Sequence, residues 1–193
     1  WEGIGLPGLF TDLRELVVDT SNDILYAAGI AVPLDYDGNT GRPLFRRMNN
    51  AWDTLAVVLP QANALVLWHD TLIVGGSFSS LNGQSYAGIA AWDGSTWHAY
   101  GDLPTAGVIN RLRVLDGELY ALGVFETMDG VYCNGIAKRV GGHWESIGAI
   151  NTTSNCSVQD LAIYDGHYVA VGGISFPGNP YRDVVIQENG TWG

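Results

Sequence analysis

One phrase of sequence returns four times along this chain, and its spacing restricts the possible folds more than any other feature. Five tryptophans mark the repeat at intervals of 51, 45, 47 and 48 residues: Trp1, Trp52, Trp97, Trp144 and Trp192. Between them, two apolar stretches, a variable loop and a third apolar stretch follow in the same order. A period of this length with four short strands is typical of a β-propeller blade.

Turn signals separate these apolar stretches. Asp116-Gly117 and Asp165-Gly166 stand between the first and second stretches, and Asp93-Gly94, Gly141-Gly142 and Asn189-Gly190 stand between the third and fourth. Such pairs tolerate the positive φ angles of two-residue hairpin turns. No amphipathic helical pattern of useful length appears. The sequence therefore predicts an all-β fold.

The second stretch of each repeat carries central glycines, as in "LIVGGSF" at residues 72–78. A glycine inside a strand often marks a close approach by another backbone or a large side chain. We interpret Gly75 and Gly76 as a packing device, and we expect the recurring tryptophan to be the large neighbour.

The charge of the chain excludes some classes of partner. There are 20 acidic and 9 basic residues, which give a net charge of −11. Nucleic acids and anionic membranes both need a basic surface, so neither is expected as a partner. No apolar run approaches the length of a transmembrane helix, so no membrane insertion is expected.

Two copies of the repeat carry a family resemblance: "TLIVGGSFSSLNGQSYAGIAAWDGSTWHAYG" (71–101) and "ELYALGVFETMDGVYCNGIAKRVGGHWESIG" (118–148). They resemble the kelch-like propeller repeats of bacterial secreted and cell-surface proteins, and also those of fungal cortical proteins that mark sites of polarised growth. The resemblance implies one β-propeller domain over residues 1–193, built from about four four-stranded kelch-like blades. The repeats cover approximately residues 1–51, 52–96, 97–143 and 144–191.

Two arrangements of these blades remain open. The chain can form a small closed ring, or it can be an excerpt of a larger propeller. Trp1 and Trp192 would compete for the same position in a closed four-bladed ring, which favours the excerpt.

The two cysteines fall in loops that the repeat places in adjacent blades. Cys133 lies between the second and third strands of the third repeat, and Cys156 leads into the fourth repeat. Up-and-down topology brings both loops to one face, so we predict a disulfide between them. A disulfide suits a secreted or cell-surface protein. The alternative is two unrelated thiols.

One loop offers oxygen ligands at the spacing of a calcium site. In "DYDGNTG", Asp35, Asp37 and Asn39 alternate as they do in calcium loops. However, glycine falls at the fourth position rather than the sixth, and Arg46 stands where a glutamate is needed. A calcium ion is thus one interpretation and a solvated hairpin loop the other, and no other cofactor is expected.

Four tyrosines recur in the loops between second and third strands: Tyr36, Tyr86, Tyr132 and Tyr181. They can form an aromatic rim that binds a glycan or peptide, or they can be framework residues.

The residues that recur most clearly are structural: glycines, tryptophans and Asp-Gly turns. No catalytic grouping is placed by a motif, so we do not expect an enzyme. The sequence predicts a binding or structural module whose loop face contacts another protein or a surface glycan. Two alternatives remain: a carbohydrate-active enzyme that uses acidic loop residues, and a subunit that docks in a larger surface or secretion assembly.

Overall fold

The structure is a computed structural model, and it describes residues 9–32, 41–148, 150, 156–176 and 182–193. All regular secondary structure in these ranges is β-strand, arranged in several antiparallel sheets. The all-β prediction is confirmed. Among these residues, no helix has the length and hydrophobicity needed to cross a membrane.

Twenty strands follow one another within the described ranges. The first four are β1 (Leu9–Asp19), β2 (Ile24–Val32), β3 (Arg42–Met48) and β4 (Ala51–Leu59). The next six are β5 (Ala62–Trp68), β6 (Thr71–Gly76), β7 (Ser80–Leu81), β8 (Gln84–Ser85), β9 (Ile89–Trp92) and β10 (Trp97–Ala99). Six more are β11 (Val108–Leu115), β12 (Glu118–Val124), β13 (Thr127–Met128), β14 (Val131–Tyr132), β15 (Ile136–Val140) and β16 (His143–Ser146). The last four are β17 (Ser157–Tyr164), β18 (His167–Ile174), β19 (Arg182–Glu188) and β20 (Thr191–Trp192).

These strands form four antiparallel meanders. Their strand orders are β1-β2-β3-β4, β5-β6-β9-β10, β11-β12-β15-β16 and β17-β18-β19-β20. We call them the first to fourth sheets. The hairpin β7-β8 extends the first sheet beyond β4, and β13-β14 is a separate hairpin. The strands that carry the recurring tryptophans, β4, β10, β16 and β20, each pair with the strand before them. The sheets are therefore out of phase with the tryptophan-to-tryptophan repeat.

The core lies between successive sheets. Three clusters of buried side chains join the first sheet to the second, the second to the third and the third to the fourth. Ile73 of β6 belongs to the cluster shared with the third sheet, whereas Leu72 and Val74 belong to the cluster shared with the first. Alternation along one strand therefore buries both of its faces, as expected where a sheet is covered on both sides.

The turn prediction is wrong at Asp93-Gly94, where only the glycine has positive φ and four residues join β9 to β10. It is confirmed at the other pairs: Asp116-Gly117, Gly141-Gly142, Asp165-Gly166 and Asn189-Gly190. Asp116 and Gly117 have φ angles of 51° and 81°, and Asn189 and Gly190 have 49° and 78°. Both central residues thus have positive φ, as type I′ hairpin turns require.

Each first strand contains an extra residue at the same place, where its pairing with the second strand shifts by one, and β1 has a second such shift between Phe10 and Asp12. These bulge residues are Arg14, Asn63, Asn110 and Gln159. Opposite each bulge, the pairing includes a glycine of the second strand: Gly29, Gly76, Gly123 and Gly172. A bulge bends its strand and brings the two backbones close together on one side.

The glycines make room for that bend. A Cβ atom on Gly123 would overlap the carbonyl oxygen of Val108, and one on Gly172 would overlap that of Ser157. A Cβ on Gly75 would lie 2.6 Å from Cγ2 of Ile109 in the next sheet. The expectation of a close neighbour was correct, but the expected tryptophan was wrong. The nearest atoms belong to a neighbouring backbone and to an isoleucine.

The recurring tryptophans are buried to different degrees. Trp144 and Trp192 are only 1% and 6% exposed, whereas Trp52 and Trp97 are half-buried. Trp144 Nε1 donates a hydrogen bond of 2.8 Å to the carbonyl of Tyr100, which ends the corresponding segment of the preceding repeat. Trp192 Nε1 donates one of 2.7 Å to the carbonyl of Gly148. Each of these hydrogen bonds thus joins the fourth strand of one sheet to the segment that follows the fourth strand of the preceding sheet.

Candidate functional site

A concave surface lies on the loop side of the second sheet, with a volume of about 490 Å³. Its lining comes from the segment after β6, the segment before β9 and the connection from β10 to β11. We call this surface the loop groove: Ser77, Phe78, Ser79, Ser85, Tyr86, Ala87, Gly88, Asp102, Leu103, Pro104, Thr105 and Gly107. The volume falls within the range of ligand pockets.

Backbone hydrogen bonds hold the groove in shape. Gly88 donates to the carbonyl of Phe78 at 2.9 Å, and Leu103 donates to the carbonyl of Ala87 at 3.3 Å. Phe78 and Leu103 are almost fully buried and form an apolar floor. The groove therefore combines a fixed backbone, a hydrophobic base and a rim of hydroxyl groups.

The carboxylate of Asp129, in the turn of hairpin β13-β14, links this hairpin to the groove region. Its Oδ1 accepts a hydrogen bond of 2.7 Å from the backbone amide of Asp102, and the Asp129 amide donates to the Asp102 carbonyl at 2.9 Å. The β10–β11 connection is thereby fastened at the point where it enters the groove.

The two described tyrosines of the predicted rim occupy different positions. Tyr86 lines the groove, is half-buried, and donates its hydroxyl hydrogen to the carbonyl of Trp97 at 3.3 Å. Tyr132 lies in β14 and is 48% exposed. The backbone amide of Tyr86 donates to the carbonyl of Ser79, which follows the buried Phe78. The amide of Cys133 donates to the carbonyl of Glu126, which follows the buried Phe125. Cys133, rather than Tyr132, is therefore the structural counterpart of Tyr86. Tyr36 and Tyr181 lie outside the described residues.

The predicted calcium ligands Asp35, Asp37 and Asn39 also lie outside the described residues. Within the described ranges, no three His, Cys, Asp or Glu side chains are grouped so as to hold a metal ion. The calcium interpretation stays a prediction.

Cys133 and Cys156 carry free thiols in the structure, and the predicted disulfide is not formed. Both are buried, in clusters on opposite faces of the third sheet. Cys133 Sγ donates to the carbonyl of Val131 at 3.0 Å. Burial raises the pKa of each thiol to about 11. The topology brings the two loops together as expected, but each thiol is used as a small apolar side chain.

A second cavity, of about 350 Å³, lies where the four first strands meet. All four bulge residues line it, and we call it the inner-strand cavity: Leu13, Arg14, Glu15, Asn63, Asn110, Arg111 and Gln159. The residues that recur in the sequence are not only glycines, tryptophans and turns. The four bulge residues are polar in every repeat, and each stands two positions before a leucine: Leu16, Leu65, Leu112 and Leu161. Alignment on that leucine, rather than on the tryptophans, would have found the pattern.

Every described carboxyl group with a shifted pKa has a pKa below its ordinary value, which favours the ionised form. A hydrogen bond from Asn22 lowers the pKa of Asp19, one from Arg113 lowers the pKa of Asp160, and one from His98 lowers the pKa of Asp93. A general acid at neutral pH needs the opposite shift. These carboxylates are suited to holding turns and sheets together.

Comparison with known proteins gives no further guide to the family. No protein-family model matches the chain, and no significant match is found among curated proteins.

Proposed function

We propose that this protein is a non-enzymatic binding module of a secreted or cell-surface protein, and that the loop groove is its binding surface. Its four meanders are proposed to be kelch-like propeller blades that act as a rigid scaffold. The observation that carries the proposal is the groove itself, a concave surface on packed sheets with an apolar floor.

The chemistry of the lining favours a glycan over a charged peptide. The rim carries the hydroxyl groups of Ser77, Ser79, Ser85 and Thr105, together with Tyr86. Asp102 is the one side chain of the lining that carries a formal charge. Sugars bind through hydroxyl hydrogen bonds and through apolar contact with an aromatic ring, and this lining offers both.

A non-enzymatic role is supported by the state of the described carboxylates. Asp19, Asp93 and Asp160 each accept several hydrogen bonds or an ion pair, and their pKa values are lowered. Retaining and inverting glycosidases need one carboxyl group that stays protonated.

The test is binding to an array of surface glycans, followed by titration of the strongest binder in solution. A bulky substitution at the exposed groove residue, Thr105→Tyr, should block binding without disturbing the core. Tyr132→Ala is the matched control, because Tyr132 lies outside the groove. Binding that survives Thr105→Tyr but is lost in Tyr132→Ala would contradict the groove and support an aromatic rim instead.

Exposed apolar side chains favour assembly as a second candidate function. Leu16 and Val18 on β1 are 50% and 60% exposed, and Val184 on β19 is 59% exposed. They lie on the outward faces of the first and fourth sheets, whereas every other sheet face packs against a neighbouring sheet. Because each sheet in the described chain packs face to face with the next, the occupant that fits these faces is the matching sheet of a second copy.

Light scattering tests that assembly directly. We expect a mass that rises with concentration above that of the 20.7 kDa monomer, and a monomer when Val18 and Val184 are both replaced by serine. A wild-type monomer at all concentrations would exclude assembly through these faces.

A further inference from the structure

A cavity of about 490 Å³ lies between the first and second sheets, at the end of the strands that carries their hairpin turns. The loop groove lies at the other end of the second sheet. We call this space the turn-side cavity. Side chains from both sheets form its largely apolar walls: Ile24, Tyr26, Met48, Leu67, Leu72 and Trp92.

Tyr26 brings a buried hydroxyl group to this cavity. The residue is only 4% exposed, and its hydroxyl has no hydrogen-bond partner among the described residues. Burial raises the pKa of Tyr26, the charge of Asp19 raises it further, and Arg46 lowers it. Because Asp19 and Arg46 both line the cavity, the hydroxyl lies within reach of charges on the cavity wall. Buried polar groups are nearly always hydrogen-bonded, so this hydroxyl is suited to a ligand.

The equivalent tyrosine two repeats later has a partner within the protein. Tyr120 is the third residue of β12, as Tyr26 is of β2, and its hydroxyl lies 2.9 Å from that of Tyr168. Tyr168 is the second residue of β18, and Leu72 is the second residue of β6. Leucine thus stands where the partner hydroxyl stands between the third and fourth sheets. The unpartnered hydroxyl of Tyr26 is therefore a specific difference between two otherwise equivalent sheet interfaces.

Three carboxylates also line the cavity: Asp19, Asp70 and Asp93. Asn22 donates a hydrogen bond of 2.8 Å to Asp19, and the ring of His98 lies 2.7 Å from Asp93. These contacts hold two of the carboxylates in place and lower their pKa values, so both stay ionised. Asp70 is exposed and has no hydrogen bond or ion pair from its side chain to any described residue.

One cation lines the cavity, but its charge is already balanced. Arg46 forms a bidentate pair with Asp53, with distances of 3.1 and 2.6 Å, and Asp53 is not part of the lining. The cavity therefore keeps a surplus of negative charge. Within the described part of the chain, these carboxylates are not grouped so as to hold a metal ion. A cation with an extended organic body fits the apolar walls better than a bare ion does.

We propose that the turn-side cavity binds an organic cation, that is, an ammonium group attached to a short hydrocarbon body. The ammonium donates a hydrogen bond to the hydroxyl oxygen of Tyr26 and is attracted by the carboxylates, while the hydrocarbon contacts Leu72 and Trp92. The ring of Trp92 also attracts a cation electrostatically. This site is separate from the loop groove, and it does not depend on the function proposed for that groove.

The experiment is calorimetric titration of the whole protein with butylammonium chloride, at constant ionic strength set with sodium chloride. We expect heat that saturates. Tetramethylammonium has no N–H donor, so it should bind more weakly. A lysine blocked at both ends carries the butylammonium group on a peptide unit. Its binding would indicate a lysine side chain of a partner protein, whereas binding of butylammonium alone would indicate a free amine.

Two pairs of variants test the residues assigned to the site. Tyr26→Phe removes only the hydroxyl and should weaken butylammonium binding roughly tenfold, the ratio expected for one hydrogen bond to a charged group. Tyr120→Phe is its control, because Tyr120 bonds to Tyr168 between other sheets. Asp70→Asn removes one charge and should also weaken binding. Asp116→Asn, in the equivalent turn of the third sheet, changes the net charge equally and should leave the affinity unchanged.

Three results would overturn the proposal. The first is heat that never saturates, which indicates general attraction of cations to an acidic surface. The second is binding of tetramethylammonium as tight as that of butylammonium. The third is unchanged affinity in Tyr26→Phe or in Asp70→Asn, and Asp70→Asn decides the question even if Tyr26→Phe fails to fold.

Discussion

The side-chain amide of Asn63 donates a hydrogen bond of 3.0 Å to the backbone carbonyl of Ile109, which joins the first strand of one sheet to the first strand of the next. Asn110 makes the equivalent bond of 3.1 Å to the carbonyl of Val158 one repeat later. Each donor is a bulge residue, and each acceptor immediately precedes the next bulge residue. The bulges thus link successive sheets as well as bending the strands.

The first prediction concerns this link. Asn63→Ala removes the donor to Ile109 and the acceptor of Arg14 and Gln61, and it leaves buried polar groups without partners. We expect the free energy of unfolding to fall by about 1–3 kcal/mol. Urea unfolding measures the change, with Gln84→Ala on the exposed hairpin β7-β8 as the control. Equal stability of the two variants would show that the link contributes nothing.

The second prediction compares two adjacent glycines of β18. A Cβ on Gly172 would overlap the carbonyl oxygen of Ser157, whereas a Cβ on Gly173 would meet nothing closer than 4.0 Å. Gly172→Ala should therefore lower stability by about 3 kcal/mol or more, or prevent folding, and Gly173→Ala should be nearly neutral. Thermal melts of both variants provide the comparison. A stable Gly172→Ala would mean that the bulge does not need its glycine.

The third prediction ranks two tryptophans. Trp144 is fully buried, donates to Tyr100, and lies 5.4 Å from the guanidinium of Arg139. Trp144→Ala should cost about 3–5 kcal/mol, as large truncations in a core do. Trp97 is half-buried against Trp92, with 5.2 Å between ring centroids, so Trp97→Ala should cost less. Chemical denaturation of both variants measures the loss in the free energy of unfolding. A larger loss for Trp97→Ala than for Trp144→Ala would contradict the observed burial.

The fourth prediction concerns the thiols. Burial raises the pKa of Cys133 and Cys156 to about 11, so little thiolate forms at mildly alkaline pH. We expect neither thiol to react with iodoacetamide in the native protein, and both to react after unfolding without a reductant. Mass spectrometry counts the modified cysteines. Two unreactive cysteines in the unfolded protein would establish the disulfide that the sequence predicts.

The fifth prediction concerns acid stability. The hydrogen bond from Arg113 lowers the pKa of Asp160 below its ordinary value of 3.8. The stabilisation is thus present above pH 3.8 and is lost as the pH falls through the lowered pKa. Because both partners are about a third or more exposed, we expect Asp160→Asn to cost only about 0.2–1 kcal/mol at neutral pH.

A comparison of stability across pH tests this expectation. Asp160→Asn should lose less stability than wild type between neutral and acid pH, and Asp183→Asn serves as the exposed control. An identical acid profile for wild type and Asp160→Asn would show that the pair does not stabilise the fold.

The sequence by itself determined the local structure. Alternating apolar residues specify strands, and pairs such as Asp116-Gly117 specify tight turns, because both signals depend on residues that are close together in the chain. The four meanders and their order follow from these signals. The glycines opposite the bulges could also be recognised as positions of close approach, although their partners could not be named.

Only the tertiary structure decided the features that depend on how one sheet packs against the next. Stacking buried Trp144 and left Trp97 half-buried, placed Cys133 and Cys156 in separate clusters, and put Tyr86 in a groove that excludes Tyr132. It also gathered four bulge residues, some 47–49 residues apart, around one cavity. These outcomes depend on the distance and angle between packed sheets, which no local pattern of residues specifies.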